Sequence, residues 1–165
     1  LVASPLAFAT GEPIVLVPPT LDAATSAFIT GGGLQDLTVL GGTGSVSAAV
    51  ASGLAALPGV TSVARISAAD RYATSVAVAE YAEGRGFTWD GLAVATGEKY
   101  PDALAGGCLQ GRGRSVVLLT RGAALPPSVG AALTAHKAGI AGVRFLGGAV
   151  AISEAARVDV YDALR

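Results

Sequence analysis

The sequence predicts an α/β fold: a mostly parallel sheet with helices on both faces, built from tandem repeats. Short β-branched apolar runs alternate with Ala-rich stretches of helical length. The runs are apolar at every position, the pattern of strands covered on both sides. Parts of the chain also lie on one another at a spacing of a little over 100 residues. Of 165 residues, 52% are hydrophobic and 14% charged, against roughly 25% charged in an average domain, so a large core is available and disorder is excluded.

The elements follow in order. Strands are expected at 14–17, 37–40, 63–66, 92–95, 116–119 and 143–146, and helices at about 20–31, 45–57, 69–84, 101–111, 125–138 and 152–164. Each helix is entered through Ser, Thr, Asp, Pro or Gly. Helix 69–84 shows the logic most fully. Ser67 is placed to cap it, Asp70 sets negative charge against the positive end of the helix dipole, and Tyr72, Val76, Ala79 and Ala82 share one face. Gly84 and Gly86 mark its end. Helix 101–111 opens with Pro101-Asp102, where proline lacks an amide hydrogen that would go unpaired and aspartate caps the turn or complements the dipole. Six strands for six helices give a Rossmann-like alternation.

Internal duplication accounts for the spacing. Ile14-Val15-Leu16-Val17 lies on Val117-Leu118-Leu119-Thr120, Leu40-Gly41-Gly42 on Leu146-Gly147-Gly148, and Val46-Ser47 on Ile152-Ser153. Residues 1–57 thus read as the second half of one copy and 61–165 as a complete one. With no Met, the chain reads as a fragment or a processed chain.

Composition excludes several chemistries. Cys108 is the one cysteine and His136 the one histidine, so neither an internal disulfide nor a Cys/His zinc site is available. Residues 1–60 hold no Lys or Arg and three acids, while the rest carry eleven cations against nine acids. That balance is too weak for a nucleic-acid footprint, but a few placed arginines suffice for a small anionic ligand. No apolar run reaches the roughly 18 residues of a membrane span. No Gly-x-Ser-x-Gly elbow or Gly-x-x-x-x-Gly-Lys-[Ser/Thr] phosphate loop occurs. Glu98 and Asp102 make a weak carboxylate pair across a Tyr-Pro junction, and His136 reads as a surface histidine beside Lys137. No catalysis and no cofactor is expected.

Four segments carry a family resemblance: Arg65-Ile66-Ser67-Ala68-Ala69-Asp70-Arg71-Tyr72-Ala73-Thr74-Ser75; Ala95-Thr96-Gly97-Glu98-Lys99-Tyr100-Pro101-Asp102-Ala103-Leu104-Ala105; Val117-Leu118-Leu119-Thr120; and Leu146-Gly147-Gly148 followed by Ile152-Ser153. In this order they resemble the cell wall binding repeat 2 family. The resemblance implies a non-catalytic module of secreted Gram-positive surface proteins, held noncovalently on the cell wall by an anionic wall polymer. It also implies α/β units around a pseudo-threefold axis. The chain departs from the family pattern at Ala68, where a glycine is common, and at Val117 and Ile14-Val15-Leu16, where the family reads Ile-Leu-Leu.

In an open α/β sheet, ligands collect beyond the carboxyl ends of the strands, where turns and helix N-termini offer backbone amides. The turns 41–45, 67–70, 96–99 and 147–148 suit that role, and the ligand-binding candidates beside them are Arg65, Arg71, Lys99 and Arg121 with Asp70 and Asp102. Arg71 reads equally as the ion-pair partner of Asp70 or Asp102, and Asp102 as a cap. Tyr72 and Tyr100 could stack on a sugar or simply sit half-buried. Two rival readings stand beside wall binding. One is a structural or oligomerisation module, expected as a homo-oligomer and most plausibly a trimer, because Ala- and Gly-rich helix faces permit close approach. The other is nucleotide binding through Gly42-Thr43-Gly44-Ser45-Val46-Ser47, where the spacing lacks its last glycine and the acid about 20 residues on.

Overall fold

Strand and helix alternate along most of the chain in a computed structural model that describes all 165 residues. In chain order the elements are α1 (Ser4–Thr10), α2 (Ala23–Gly31), β1 (Asp36–Leu40), α3 (Ala48–Ala55), β2 (Ser62–Ile66), α4 (Arg71–Glu83), β3 (Thr88–Thr96), α5 (Pro101–Arg112), β4 (Ser115–Thr120), α6 (Pro127–His136), β5 (Arg144–Leu146) and α7 (Glu154–Ala163). A 3-10 turn at Lys137–Gly139 follows α6. Contacts divide the chain into two units, one of Leu1–Ile14 with Arg71–Arg165 and one of Val15–Asp70. No helix is long and apolar enough to cross a membrane.

In the larger unit the sheet runs β4-β3-β5 and every pairing is parallel. Its centre is buried because the inner strand residues are mostly apolar on both faces. β4 is buried at all six positions, as are Leu92 to Thr96 of β3. α4 packs with α6 and α5 with α1, and helices from both pairs pack on β4. Gln110 is the buried polar side chain that ties α5 to the sheet, donating to the carbonyls of Gly91 and Val116 and so satisfying its amide in the core.

Glycine lets α1 and α5 approach closely. A Cβ on Gly107 would collide with the side chain of Ser4, and one on Gly111 would stand 2.6 Å from the Pro5 carbonyl oxygen. Gly106 faces Leu146 of β5 in the same way. The Gly-rich sequence of α5, a poor helix former in isolation, is thereby explained by packing.

The smaller unit is a two-stranded parallel sheet, β1 beside β2, with Leu40 opposite Ile66. Ile29, Val39, Val50 and Leu54 form its core. α2 starts at a true cap, Asp22 accepting from the Thr25 amide at 2.7 Å. Asp36 at the head of β1 accepts from the hydroxyls of Ser62 and Thr61 and stitches the two strands together.

Several expectations need correction. Ile14–Val17 is not a strand, and Ile14 and Leu16 are exposed. A strand exists only when another strand shares its hydrogen bonds; Val117–Thr120 finds β3 beside it, whereas its sequence counterpart has none. There are accordingly five strands in two sheets rather than six. α1 was not anticipated, because seven residues opening on Ser4-Pro5 give too short a periodic signal. α4 begins at Arg71, so Ser67 is too far upstream to cap it. β1 and β2 are only partly buried, since a two-stranded sheet with its core on one side leaves the other side open.

Candidate functional site at the carboxyl ends of the strands

Parallel register brings the turns after the three strands of the larger unit to one level. Thr96 of β3 lies opposite Thr120 of β4, and Ala95 lies opposite Leu146 of β5. Three turns, beginning at Gly97, Arg121 and Gly147, therefore leave the sheet side by side. This is the edge at which an open parallel sheet presents its loops to ligands.

Gly97 is the keystone of the first turn. Its amide donates to the Thr120 carbonyl at 2.8 Å, and its carbonyl accepts from Arg71 Nη1 at 2.5 Å. A side chain there would meet the Tyr72 ring at 2.8 Å and the Arg71 Cδ at 3.2 Å, so only glycine fits. Tyr72 is buried, and the Arg121 guanidinium lies over its ring at 5.4 Å. Glu98 joins the first turn to the second by accepting from the Gly122 amide at 3.3 Å. Lys99 follows it, exposed, and Arg121 is exposed on the neighbouring turn.

Asp102 sits half-buried in the first turn of α5, where the helix dipole favours its charge; no side chain caps this helix. Its carboxylate reaches under the third turn, with Oδ2 2.5 Å from where a Cβ of Gly147 would stand. Gly147 has φ +111°, a backbone conformation that glycine alone adopts without strain. Among the sequence candidates, Arg71, Lys99, Arg121 and Asp102 thus meet at the carboxyl edge of β3, β4 and β5.

Arg65 and Asp70 belong to the smaller unit. Arg65 donates to the Gly41 carbonyl at 2.6 Å and to the Val46 carbonyl at 2.9 Å, pinning both ends of the turn between β1 and α3. Asp70 is exposed and immediately precedes α4. The 147–153 turn has a pin of its own that sequence reading missed: Arg157 donates to the carbonyls of Gly147 and Ile152. Nothing in a helix-borne arginine signals that role before its turn is seen folded.

Tyr72 and Tyr100 separate cleanly. Tyr72 is core, while Tyr100 is 67% exposed at the mouth of α5 beside Lys99 and is the ring free to stack on a ligand. His136 is not a free surface side chain; it stacks on Trp89 with ring centroids 3.9 Å apart. A cleft of about 490 Å³ beside them is lined by Glu83, Trp89, Asp90 and His136 and includes none of the six candidate residues.

Residues 1–51 and 65–157 match the family described as cell wall binding domain 2 (CWB2). The chain is 32% identical over 119 residues to the N-acetylmuramoyl-L-alanine amidase LytC of Bacillus subtilis (strain 168), a match covering 72% of the chain and 22% of the amidase. Among solved structures, Cwp6 from Clostridium difficile superposes with a TM-score of 0.83 at 23% identity, over 98% of this chain and 25% of that one. Cwp8 from the same organism gives 0.77 at 21% identity, over 98% and 27%. The chain thus spans about a quarter of the length of these relatives. It shares the α/β repeat fold of the two structures and, matched along most of its length, belongs to the cell wall binding domain 2 (CWB2) family, as a cell wall binding module of a cell wall associated surface protein.

Proposed function

We propose that the module holds its parent protein noncovalently on the wall by binding an anionic wall polymer, without catalysis. The observation that carries this reading is the pairing of two cation-bearing turns: Lys99 and Arg121 stand exposed on turns joined by the Glu98–Gly122 hydrogen bond. Arg71, also exposed, is held on the carbonyl of Gly97. In this reading Lys99 and Arg121 meet the polymer's negative groups, with Arg71 adding its charge and Tyr100 against a sugar face. Asp102, Arg65 and Asp70 shape the turns. The family matched is a binding domain, and the amidase matches this chain over only a small share of its own length; together these support a binding rather than a hydrolytic role.

The test is sedimentation of the purified chain with Gram-positive walls before and after acid extraction of their anionic polymers, across a salt series. Binding should vanish with the polymer and fall as salt rises, because exposed charges are screened. Lys99→Ala and Arg121→Ala should each weaken it about 2–5-fold, on the order of 1 kcal/mol per exposed ion pair. Binding that survives extraction unchanged would overturn the reading.

A second reading is an oligomerisation module, for which the Ala- and Gly-rich helix faces permit close approach of copies. It expects a homo-oligomer, most plausibly a trimer. Light scattering that gives a monomer at every concentration would remove it.

A further inference from the structure

The amino ends of the strands, away from the three turns, hold a cleft whose chemistry is the opposite of theirs. It is the space of about 490 Å³ beside the Trp89–His136 stack. Strand alternation builds one side of it: Trp89 is buried, and Thr88 and Asp90 on either side of it are exposed. The Ser115 hydroxyl donates to the Asp90 carbonyl at 2.6 Å and holds that backbone in place. Two helices that pack on each other end here, α4 at Glu83 and α6 at His136. Gly86, with φ +81°, turns the chain from α4 into β3 and lets Phe87 bury its ring under the cleft.

The electrostatics of this cleft favour a cation. Glu83 and Asp90 bring two carboxylates, and neither pairs with a cation of the chain, whose ion pairs are Arg85–Glu12 and Arg165–Asp162. The C-terminal ends of α4 and α6 add the negative poles of two helix dipoles. Cations close by in sequence are engaged elsewhere. Arg85 also lies over the Tyr81 ring, Arg114 lies over Phe87, and Lys137 donates to the Arg165 carbonyl. Glu83 accepts one hydrogen bond, from the Trp89 indole at 3.3 Å, which leaves most of the acceptor capacity of the two carboxylates open.

We propose that this cleft is a binding site for an aliphatic primary ammonium, the group that a lysine side chain of a peptide or a free diamine presents, separate from the polymer-binding edge. An ammonium carries three donors and no acceptor, which matches an acceptor-rich site with no cation of its own. Glu83 and Asp90 take the charged head. The methylene stem lies against Ala135, Ala138 and the His136 ring, an apolar body with a polar tip. The volume of about 490 Å³ lies within the roughly 300–1,000 Å³ of ordinary ligand clefts and is ample for such a side chain with its adjoining peptide units. Anionic groups are repelled by the same charges. The module thus has two ends of opposite chemistry, cationic turns at the carboxyl ends of the strands and an acidic cleft at the amino ends.

The indole N–H of Trp89 reports on the cleft, because the chain has one tryptophan and that N–H is bonded to Glu83. The experiment follows its single proton–nitrogen resonance in isotope-labelled chain at pH 8 and low salt while Nα-acetyl-lysine methylamide is added. The resonance should move saturably, half-complete at about 1–10 mM, the affinity open to a ligand of this size. Nα-acetyl-norleucine methylamide, which keeps the stem and lacks the ammonium, should bind about tenfold more weakly. Asp90→Asn changes an exposed side chain and should weaken lysine binding about 2–5-fold, as should added salt. Glu83→Gln keeps an acceptor for the indole and tests the other carboxylate, which guards against a variant that disturbs folding. Titration with 1,5-diaminopentane separates the two sources, since the tighter of the two amines names the one the cleft prefers. No movement well above the millimolar range, equal movement by the norleucine analogue, or binding indifferent to both variants would overturn the proposal. No wall is present in the titration, so its failure and that of polymer binding are distinguishable.

Discussion

Two arginines that look alike in sequence have different work, and the difference is set by what their guanidinium groups touch. Arg65 spends two donors on backbone carbonyls at 2.6 and 2.9 Å, whereas Arg121 lies over an aromatic face with its charge in solvent. Arg65→Ala should therefore destabilise the smaller unit by about 1–3 kcal/mol, the scale of hydrogen bonds from a charged donor, measured by urea denaturation. Wall binding per folded molecule should stay unchanged. Arg121→Ala should do the reverse, leaving stability within about 0.5 kcal/mol, as for other exposed side chains. The residue types Arg, Lys and Asp at turn positions were legible in the chain. Their partners were not, since a carbonyl acceptor carries no sequence signature.

Helix α5 shows how an element can be helical against its own propensity. Gly106, Gly107 and Gly111 weaken it locally, yet all three face neighbours that leave no room for a side chain. Gly107→Ala should lower stability by about 1–2 kcal/mol, the overpacking against Ser4 outweighing the roughly 1 kcal/mol gained in helix propensity. A rise in the denaturation midpoint would contradict this packing. The β1–β2 pair makes a second element-level prediction, about pH. Hydrogen bonds from Ser62, and then from Thr61, hold the Asp36 carboxyl below its usual range, and Thr25 does the same for Asp22. A carboxyl whose folded pKa is depressed stabilises the fold above its unfolded value of about 3.9, and that contribution is lost as pH falls through the lower folded value. Stability should therefore drop on acidification below about pH 4, with a shallower slope in Asp36→Asn, as read from denaturation curves collected between pH 2 and 7.

At the scale of the molecule the repeat pattern is expressed unevenly. Equivalent turns at Gly41 and Gly147 fold alike because the bonds they share, from residues 45 and 46 to Gly42 and from 151 and 152 to Gly148, are local to the turn. Equivalent apolar runs at Ile14–Val17 and Val117–Thr120 do not, because a strand depends on a partner far away in sequence. The same reasoning explains the two sheets. Each strand pairs with the neighbour available to it, and burial on both faces is reached only where helices pack from both sides, around β3 and β4.

The amino-acid sequence by itself determined the α/β class, the parallel alternation, most helix and strand positions, and the family to which the chain belongs. These depend on periodicity, capping and motif spacing, all properties of residues close together along the chain. Tertiary structure alone decided which apolar runs became strands, that Tyr72 is core while Tyr100 is free, that His136 stacks on Trp89, and that Arg65 and Arg157 hold equivalent carbonyls. Each of these rests on a contact between residues that folding brings together, and its energy depends on geometry that no local pattern encodes.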